Sequence, residues 1–227
     1  MTNKFYSYKL TKSEEDYLKA LFQLVVENEK VKIGNNQLAE YLKVSPASAN
    51  NMIKKLKNKK LVISEKYGKL ELTQDGKEIA VWLVRKHRLW ETFLYKYMNF
   101  SWDEVHEVAE QLEHIKSAKL IDELDRFMDY PRKDPHGDLI PNEKGDYELV
   151  PKTTLSNLKT GQRCKLIAVN DSSVAFLKYV SEIGLALSSE IVVEEIKEFD
   201  KSIRIAFSNK TETVSKKFAD NIFISVL

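Results

Sequence analysis

One change of pattern divides the chain and limits the folds that it can adopt. Up to about residue 128, apolar residues recur at the three- and four-residue spacing of amphipathic helices. Four prolines and two glycines then fall between Asp129 and Pro151, which indicates a turn-rich linker and a domain boundary. The pattern beyond is one of short strands with one inserted helix, typical of a small barrel. The sequence therefore predicts a mainly α chain with a small β domain.

The N-terminal quarter predicts a winged helix-turn-helix. A helix that starts at a Ser13 cap is followed by two short helices, "NQLAEYLKV" and "SPASANNMIKKLKNKKL". Ser45 is the predicted N-cap of the second short helix, and Pro46 is its first helical residue. The segment "LVISEKYGKLELT" then predicts a β-hairpin that turns at Tyr67-Gly68.

The charge is distributed unevenly, although the formal net charge is only +2. Residues 1–76 carry fourteen lysines and nine acidic residues, whereas residues 77–227 carry twenty-two basic and twenty-five acidic residues. A basic front on an acidic body favours a polyanionic partner.

The second short helix is expected to place its N-terminal residues at base edges in a major groove, with lysines at phosphates. A domain of this kind usually pairs on a palindromic duplex, which predicts a homodimer. The alternative is a helical subdomain whose lysines only keep it soluble. The residues expected to contact DNA are Ser45, Pro46, Ala47, Ser48, Asn50, Asn51, Lys54, Lys66 and Lys69.

Other features narrow the class of protein. No apolar run approaches the ~20 residues of a membrane span, and the first residues lack the apolar core of a signal peptide. The single cysteine, Cys164, excludes an internal disulfide and a cysteine-cluster metal site. We expect a cytoplasmic protein that does not bind membranes.

Histidines and glutamates concentrate in "EVHEVAEQLEHIKS", residues 104–117. On a helix, His106, Glu110, Glu113 and His114 share one side, and side chains one turn apart can converge on one point. A solvated polar face explains the same pattern. The earlier stretch "VRKHRLWETFL" adds His87 and Glu91, again one turn apart. Imidazoles and carboxylates without thiolate suit Mn(II), Fe(II) or Zn(II), and the hard oxygens favour the first two.

These two stretches, together with "DPHGDLIP" and the helix-turn-helix before them, resemble the diphtheria-toxin-repressor family of metal-dependent transcriptional repressors. The resemblance covers the whole chain. It implies a homodimer with a divalent metal as corepressor, which represses genes for metal uptake. The implied domains are a winged helix-turn-helix (1–76), a helical metal-binding and dimerisation domain (77–141), and a linker with an SH3-like barrel (142–227).

The resemblance also implies two metal sites. The primary ligands are Asp16, Glu110, Glu113 and His114; the ancillary ligands are His87, Glu91 and His106, completed by Asp171 from the third domain. His136 matches no ligand position of the family.

The residues at two of these positions bear on the choice of ion. Iron-type members have methionine and cysteine where this chain has Asp16 and Glu110, so the chain resembles the manganese-type branch. Mn(II) is therefore the expected ion, with Fe(II) or another divalent transition metal as the alternative. Short manganese-type members carry a glutamate where this chain has Lys19, so the resemblance does not extend to their close two-metal arrangement. Asp16 has another interpretation, since its distance from Ser13 also suits a residue that closes the start of a helix.

Two other functions fit part of the pattern. A winged-helix regulator of another ligand would leave the His/Glu cluster as surface. A metal-dependent enzyme would use the cluster for chemistry. The sequence favours a protein that is not an enzyme, because the implied ligand set leaves no separate base or nucleophile. An enzyme would also leave the basic helix-turn-helix without a role.

Overall fold

The computed structural model describes residues 7–27, 33–64, 68–146, 153–170 and 173–227. Lys66, Tyr67 and Asp171, which carry sequence predictions, lie outside these ranges. The chain forms two compact units that are each described separately. Unit 1 comprises Met1–Trp90, Glu110–Arg132 and Ile140–Leu149; unit 2 comprises Glu91–Ala109, Lys133–Leu139 and Val150–Leu227.

The helical part of the chain follows the predicted order. Its elements are α1 (Lys12–Phe22, continued by a π-helical turn Gln23–Glu27), α2 (Asn35–Tyr41), α3 (Pro46–Asn58), β1 (Val62–Ser64), β2 (Leu70–Leu72), α4 (Gln74–Tyr97), α5 (Val105–Leu112) and α6 (Ala118–Phe127). Helices α4 and α5 each contribute residues to both units.

The two helix starts differ in how well the sequence predicted them. Helix α3 begins as expected, because the Ser45 side chain accepts from the Ser48 backbone N–H and Pro46 occupies the first turn. Helix α1 is capped by Thr11, so the prediction of a Ser13 cap was wrong. Thr11 and Glu14 each bond the other's backbone N–H, which satisfies both donors without help from Asp16.

The winged helix-turn-helix in unit 1, called the DNA reader below, consists of α2, α3 and the β1-β2 wing. It buries one face of each helix. Leu38, Ile53 and Leu56 are buried, as expected of core positions, whereas Val44 lies 38% exposed at the end of the turn between α2 and α3. The wing is an antiparallel pair in which Val62 faces Leu72, and Gly68 has a positive φ of 76° beyond β1. This packing leaves the outer face of α3 open.

Unit 2 is built on a six-stranded antiparallel sheet in the order β3-β8-β4-β5-β6-β7. The elements are β3 (Thr153–Thr154), β4 (Arg163–Val169), α7 (Val174–Ile183), β5 (Glu190–Ile196), β6 (Ile203–Phe207), β7 (Lys210–Val214), α8 (Lys216–Ala219) and β8 (Ile222–Val226). The inward residues of these strands and of α7 form one apolar core, against which Trp102 packs.

Within the described residues, none of the helices combines the length and the apolar character needed to cross a membrane.

Candidate metal centres and nucleic-acid interface

The first cluster of ligand atoms lies in unit 1 and joins α1 to the turn after α5. Asp16, Glu113 and His114 each offer one ligand atom, and these atoms all lie within 4.8 Å of one another. The His114 Nε2 atom is 3.1 Å from Asp16 Oδ1. Helix α5 ends at Leu112, so Glu113 and His114 extend from a turn and not from the polar face of a helix.

A buried carboxylate behind the imidazole fixes its orientation. The Glu15 Oε2 atom lies 2.6 Å from His114 Nδ1, and Glu15 is only 1% exposed. A carboxylate at Nδ1 favours a proton on that nitrogen, so the Nε2 lone pair is directed towards Asp16. No pattern in the sequence indicates this role for Glu15, because acidic residues at the start of a helix are common.

Lys19 links Glu110 to the first cluster. The Lys19 Nζ atom is 2.5 Å from Glu110 Oε1 and 2.8 Å from both carboxylate oxygens of Glu113. His87 Nδ1 lies 2.5 Å from Glu113 Oε2 and 3.7 Å from Glu110 Oε1. All four predicted primary ligands therefore lie in one network, and His87 joins it as well.

The charges of this network perturb one another strongly. Burial alone would lower the pKa of Lys19, but the carboxylates of Glu113 and Glu110 outweigh burial and raise it well above its ordinary value. Burial would raise the pKa of Glu113, yet Lys19 and His87 together lower it to about 2. For Asp16 burial dominates, and its pKa is raised.

A second lysine closes the inner side of the network. Lys86 is fully buried and donates a hydrogen bond to the backbone carbonyl of Glu113. Burial lowers its pKa to about 8.

The second cluster lies in unit 2 and is completely buried. Glu91, Asp134 and His136 each offer a ligand atom within 4.8 Å of the others, and His136 Nδ1 is 3.8 Å from Glu91 Oε2. His106 Nδ1 approaches the other oxygen of Glu91 at 3.2 Å. The His136 Nε2 atom lies 3.0 Å from the carbonyl oxygen of Trp102, which is an acceptor, so Nε2 carries the proton. The Nδ1 atom, on the side of Glu91, therefore keeps its lone pair and can serve as a metal ligand.

Sequence reasoning missed two members of this second cluster. It assigned no ligand position to His136 and did not consider Asp134. The signal available was the spacing in "DPHGD", where Asp134 Oδ1 accepts from the backbone N–H groups of His136 and Asp138 at 2.9 Å. Of the predicted ancillary ligands, Glu91 and His106 are in contact in unit 2, His87 lies in unit 1, and Asp171 is outside the described residues.

The outer face of α3 presents the predicted DNA contacts. Its inward residues Ala49 and Ile53 are buried, and its C-terminal end is tied to α1 by a 2.8 Å ion pair between Lys59 and Glu14. Lys69 is half-buried beside Glu71 in the wing, and Lys66 is outside the described residues. The exposed predicted residues are Ser45, Pro46, Ala47, Ser48, Asn50, Asn51 and Lys54.

Three consecutive regions match known protein families. Residues 9–70 match the iron-dependent repressor N-terminal DNA-binding domain, and residues 73–142 match the iron-dependent repressor metal-binding and dimerisation domain. Residues 153–226 match the FeoA domain.

Curated and solved proteins agree with these matches. The chain is 33% identical to the HTH-type transcriptional regulator MntR of Bacillus subtilis (strain 168), over 55% of this chain and 85% of that protein. A manganese-dependent transcriptional repressor solved in complex with manganese is 33% identical, with a TM-score of 0.88 over 94% of this chain and 100% of the other. The manganese regulator SloR is 35% identical, with a TM-score of 0.81 over 96% of this chain and all of that one.

The chain belongs to the iron-dependent repressor family. It is a metal-dependent, DNA-binding transcriptional repressor with a dimerisation domain and is not an enzyme, as the sequence predicted. The predicted fold is confirmed too, with a winged helix-turn-helix, a helical dimerisation domain and a C-terminal domain of the FeoA type.

Proposed function

We propose that this repressor uses Mn(II) as its corepressor and shuts off genes for metal uptake when the ion is plentiful. The observation that carries the proposal is the first cluster. It brings Asp16, from the helix ahead of the DNA reader, within 4.8 Å of the ligand atoms of Glu113 and His114. The manganese named for the solved relatives supports the choice of ion.

The donor set fits such an ion. Asp16, Glu110 and Glu113 supply hard carboxylate oxygens and His114 supplies one neutral nitrogen, so the set contains no sulfur ligand. Mn(II) is the weakest binder of the divalent transition series, so its selection depends on ligand type and geometry. Oxygen-rich sites of this kind bind Mn(II) and give little additional affinity for ions that prefer sulfur ligands.

We further propose that the second cluster, Glu91 with Asp134 and His136, holds a second ion. Two carboxylates and an imidazole, all buried, offer ligand atoms within 4.8 Å of one another, and hard oxygens with a nitrogen suit a divalent ion of the Mn(II)–Zn(II) series. His106, at 3.2 Å from Glu91, either joins these ligands or orients that carboxylate. Asp171 remains the proposed ligand from the third domain. His87 belongs by contact with the first cluster, beside Glu113.

The proposed domain limits are residues 1–76, 77–141 and 142–227. The protein acts on DNA and is proposed to work in the cytoplasm as a homodimer on a palindromic duplex. The exposed face of α3 supplies base contacts through Asn50 and Asn51, and Lys54, Lys66 and Lys69 position the reader on phosphates.

The chain couples metal to DNA through the position of α1. A bound ion supplies positive charge that α1 and the segment Glu110–His114 share. Asp16 lies at the start of the helix that carries the reader, so its participation fixes α1 against that segment. Glu15 holds His114 in the productive ring orientation. The ion can increase the population of the DNA-competent arrangement only to the extent that it binds this arrangement more tightly than the other arrangements.

An anaerobic DNA-binding titration with Mn(II), Fe(II) and Zn(II) in parallel tests the choice of ion. The duplex is first selected from a randomised pool in the presence of Mn(II), since the operator sequence is not specified by the fold. We expect activation by Mn(II) at concentrations comparable to or below those of Fe(II). Activation by Fe(II) at far lower concentrations, with Mn(II) inert, would reject the proposal.

A further inference from the structure

A lysine occupies the middle of the first carboxylate cluster. Lys19 lies on α1, one turn after Asp16, and is 5% exposed. Its ammonium is 2.5 Å from Glu110 and 2.8 Å from Glu113, so it bridges two of the carboxylates assigned to the metal. This is not a surface ion pair, since the Glu113 side chain is fully buried.

The charges around Lys19 match the number of ions that the cluster can take. Asp16, Glu110 and Glu113 with Lys19 carry a net charge of −2, which one divalent ion neutralises. The next charges outward, Glu15 and Lys86, attract each other and offset each other. A second divalent ion would leave a net positive charge beside the buried side chains of Glu113 and Lys19, which is unfavourable.

The geometry points the same way. Bridging carboxylates commonly hold two metal ions about 3.5–4 Å apart. Here the bridging position between Glu110 and Glu113 is taken by an ammonium that arrives from α1, the same helix that supplies Asp16.

We propose that Lys19 is a built-in cation that holds the place of a second metal ion and limits this cluster to one divalent ion. The inference rests on the proposed metal role of Asp16, Glu110, Glu113 and His114. It assigns to Lys19 a positioning role, because the lysine acts through the carboxylates and does not touch the ion.

A consequence concerns the metal-free protein. Carboxylates as close as those of Glu110 and Glu113 repel each other unless a cation lies between them. Lys19 already neutralises part of that repulsion and links α1 to Glu110 and Glu113 before any ion binds. The ion then binds carboxylates that Lys19 already holds beside α1, and it adds the contacts of Asp16 and His114.

The test compares Lys19→Glu, Lys19→Met and the matched control Lys12→Glu, which makes the same charge change at an exposed position of α1. Bound Mn(II) per chain is measured by equilibrium dialysis at saturating Mn(II), and low-temperature EPR reports whether bound ions are magnetically coupled. Thermal melting in chelator reports the metal-free state.

Lys19→Glu is expected to bind one more Mn(II) per chain than wild type, with the broadened EPR signal of coupled ions, whereas Lys12→Glu matches wild type. Lys19→Met is expected to melt lower than wild type in chelator and to recover most of that loss in Mn(II). If Lys19→Glu does not fold, the Lys19→Met comparison decides the matter.

Unchanged Mn(II) stoichiometry in Lys19→Glu, or unchanged melting of Lys19→Met in chelator, would overturn the inference. The proposed function fails in a different way: His114→Ala would then bind as many Mn(II) ions as wild type. The two failures are therefore separable on the same set of proteins.

Discussion

In the proposed function, single side chains of unit 1 determine whether an ion is held, and His114 is the best example. The sequence predicted His114 on the polar side of a helix, either as a ligand or on a solvated face, whereas its side chain is 8% exposed and lies between Glu15 and Asp16. A pattern of apolar spacing cannot show that a helix ends at Leu112 and that the following turn points inward. The residue types of the cluster were readable from sequence, whereas the burial and the orienting partner were not.

His114→Ala is expected to abolish the response of DNA binding to Mn(II). It is also expected to destabilise the metal-free protein by ~1–3 kcal/mol, because Glu15 then loses its buried hydrogen-bond partner. Equilibrium dialysis and chemical denaturation in chelator measure the two effects. A variant that retains Mn(II)-dependent DNA binding would remove His114 from the ligand set.

Glu15→Gln tests the orienting role separately. The amide oxygen can still accept from Nδ1, but it lacks the charge that makes the imidazole a stronger ligand. Loss of an outer hydrogen-bond partner typically costs roughly 10–100-fold in metal affinity. We expect a drop within that range with the dimer intact. An unchanged Mn(II) affinity by calorimetry would argue that Glu15 serves only stability.

Asp16 and Glu110 together are expected to set the preference among ions. The double change Asp16→Met with Glu110→Cys replaces two hard oxygens by sulfur and should shift activation towards Fe(II), Co(II) or Zn(II). Anaerobic DNA-binding titrations of both proteins against each ion give the comparison. Equal activation of both by Mn(II) would show that these carboxylates do not choose the ion.

Helices and strands show where sequence patterns are sufficient and where they are not. Ser45 and Pro46 predicted the start of α3 correctly because the cap and the first turn are local. Strand β7 has no apolar pattern from which the sequence could predict it, because it is a polar edge strand in which only Val214 is buried. The available sequence signal was Asn209, because asparagine is common in two-residue hairpin turns, and in the structure both Ser208 and Asn209 have positive φ angles.

We expect α3 and the wing to make different kinds of contact with DNA. Asn51 is exposed on α3 and is expected to contact a base edge, whereas Lys69 in the wing is expected to contact phosphate. Asn51→Ala should relax the preferred sequence, and Lys69→Ala should weaken binding to all sequences and reduce its salt dependence. Selection from a randomised duplex pool compares the two. An unchanged preferred site for Asn51→Ala would contradict this placement.

Gly137 controls the loop that carries the second cluster. Its φ is 92°, and an added Cβ would lie 2.1 Å from the carbonyl oxygen of Ile167. Gly137→Ala must therefore shift the loop, including His136, whose carbonyl accepts from the Val169 backbone N–H. We expect a destabilisation of ~1–3 kcal/mol, with one Mn(II) fewer per chain. A variant of wild-type stability and stoichiometry would mean that the loop adapts freely.

At the scale of the whole molecule, the chain joins a DNA-binding domain to a metal-binding and dimerisation domain, and we propose that α1 couples the two activities. The domain order and the overall class could be predicted from the sequence, because patterns of helix, hairpin and strand are local. The second cluster could not, because Glu91, Asp134 and His136 come together only through the folding of distant segments.

Thermodynamic linkage requires that Mn(II) binding and DNA binding strengthen each other equally. If Mn(II) at the first cluster favours the DNA-competent arrangement, then DNA must tighten Mn(II) binding by the same factor. A coupling of ~1–3 kcal/mol corresponds to roughly 5–150-fold in either affinity. The matched control is His114→Ala, which keeps the reader and loses the ion.

The most direct test is the affinity for a selected palindromic duplex, measured by fluorescence anisotropy at fixed salt in chelator and in saturating Mn(II). For wild type we predict a gain of at least about fivefold with Mn(II), and for His114→Ala no gain. Equal wild-type affinity in chelator and in Mn(II), or an equal gain in both proteins, would contradict the central claim that an ion held by Asp16, Glu110, Glu113 and His114 controls the DNA reader.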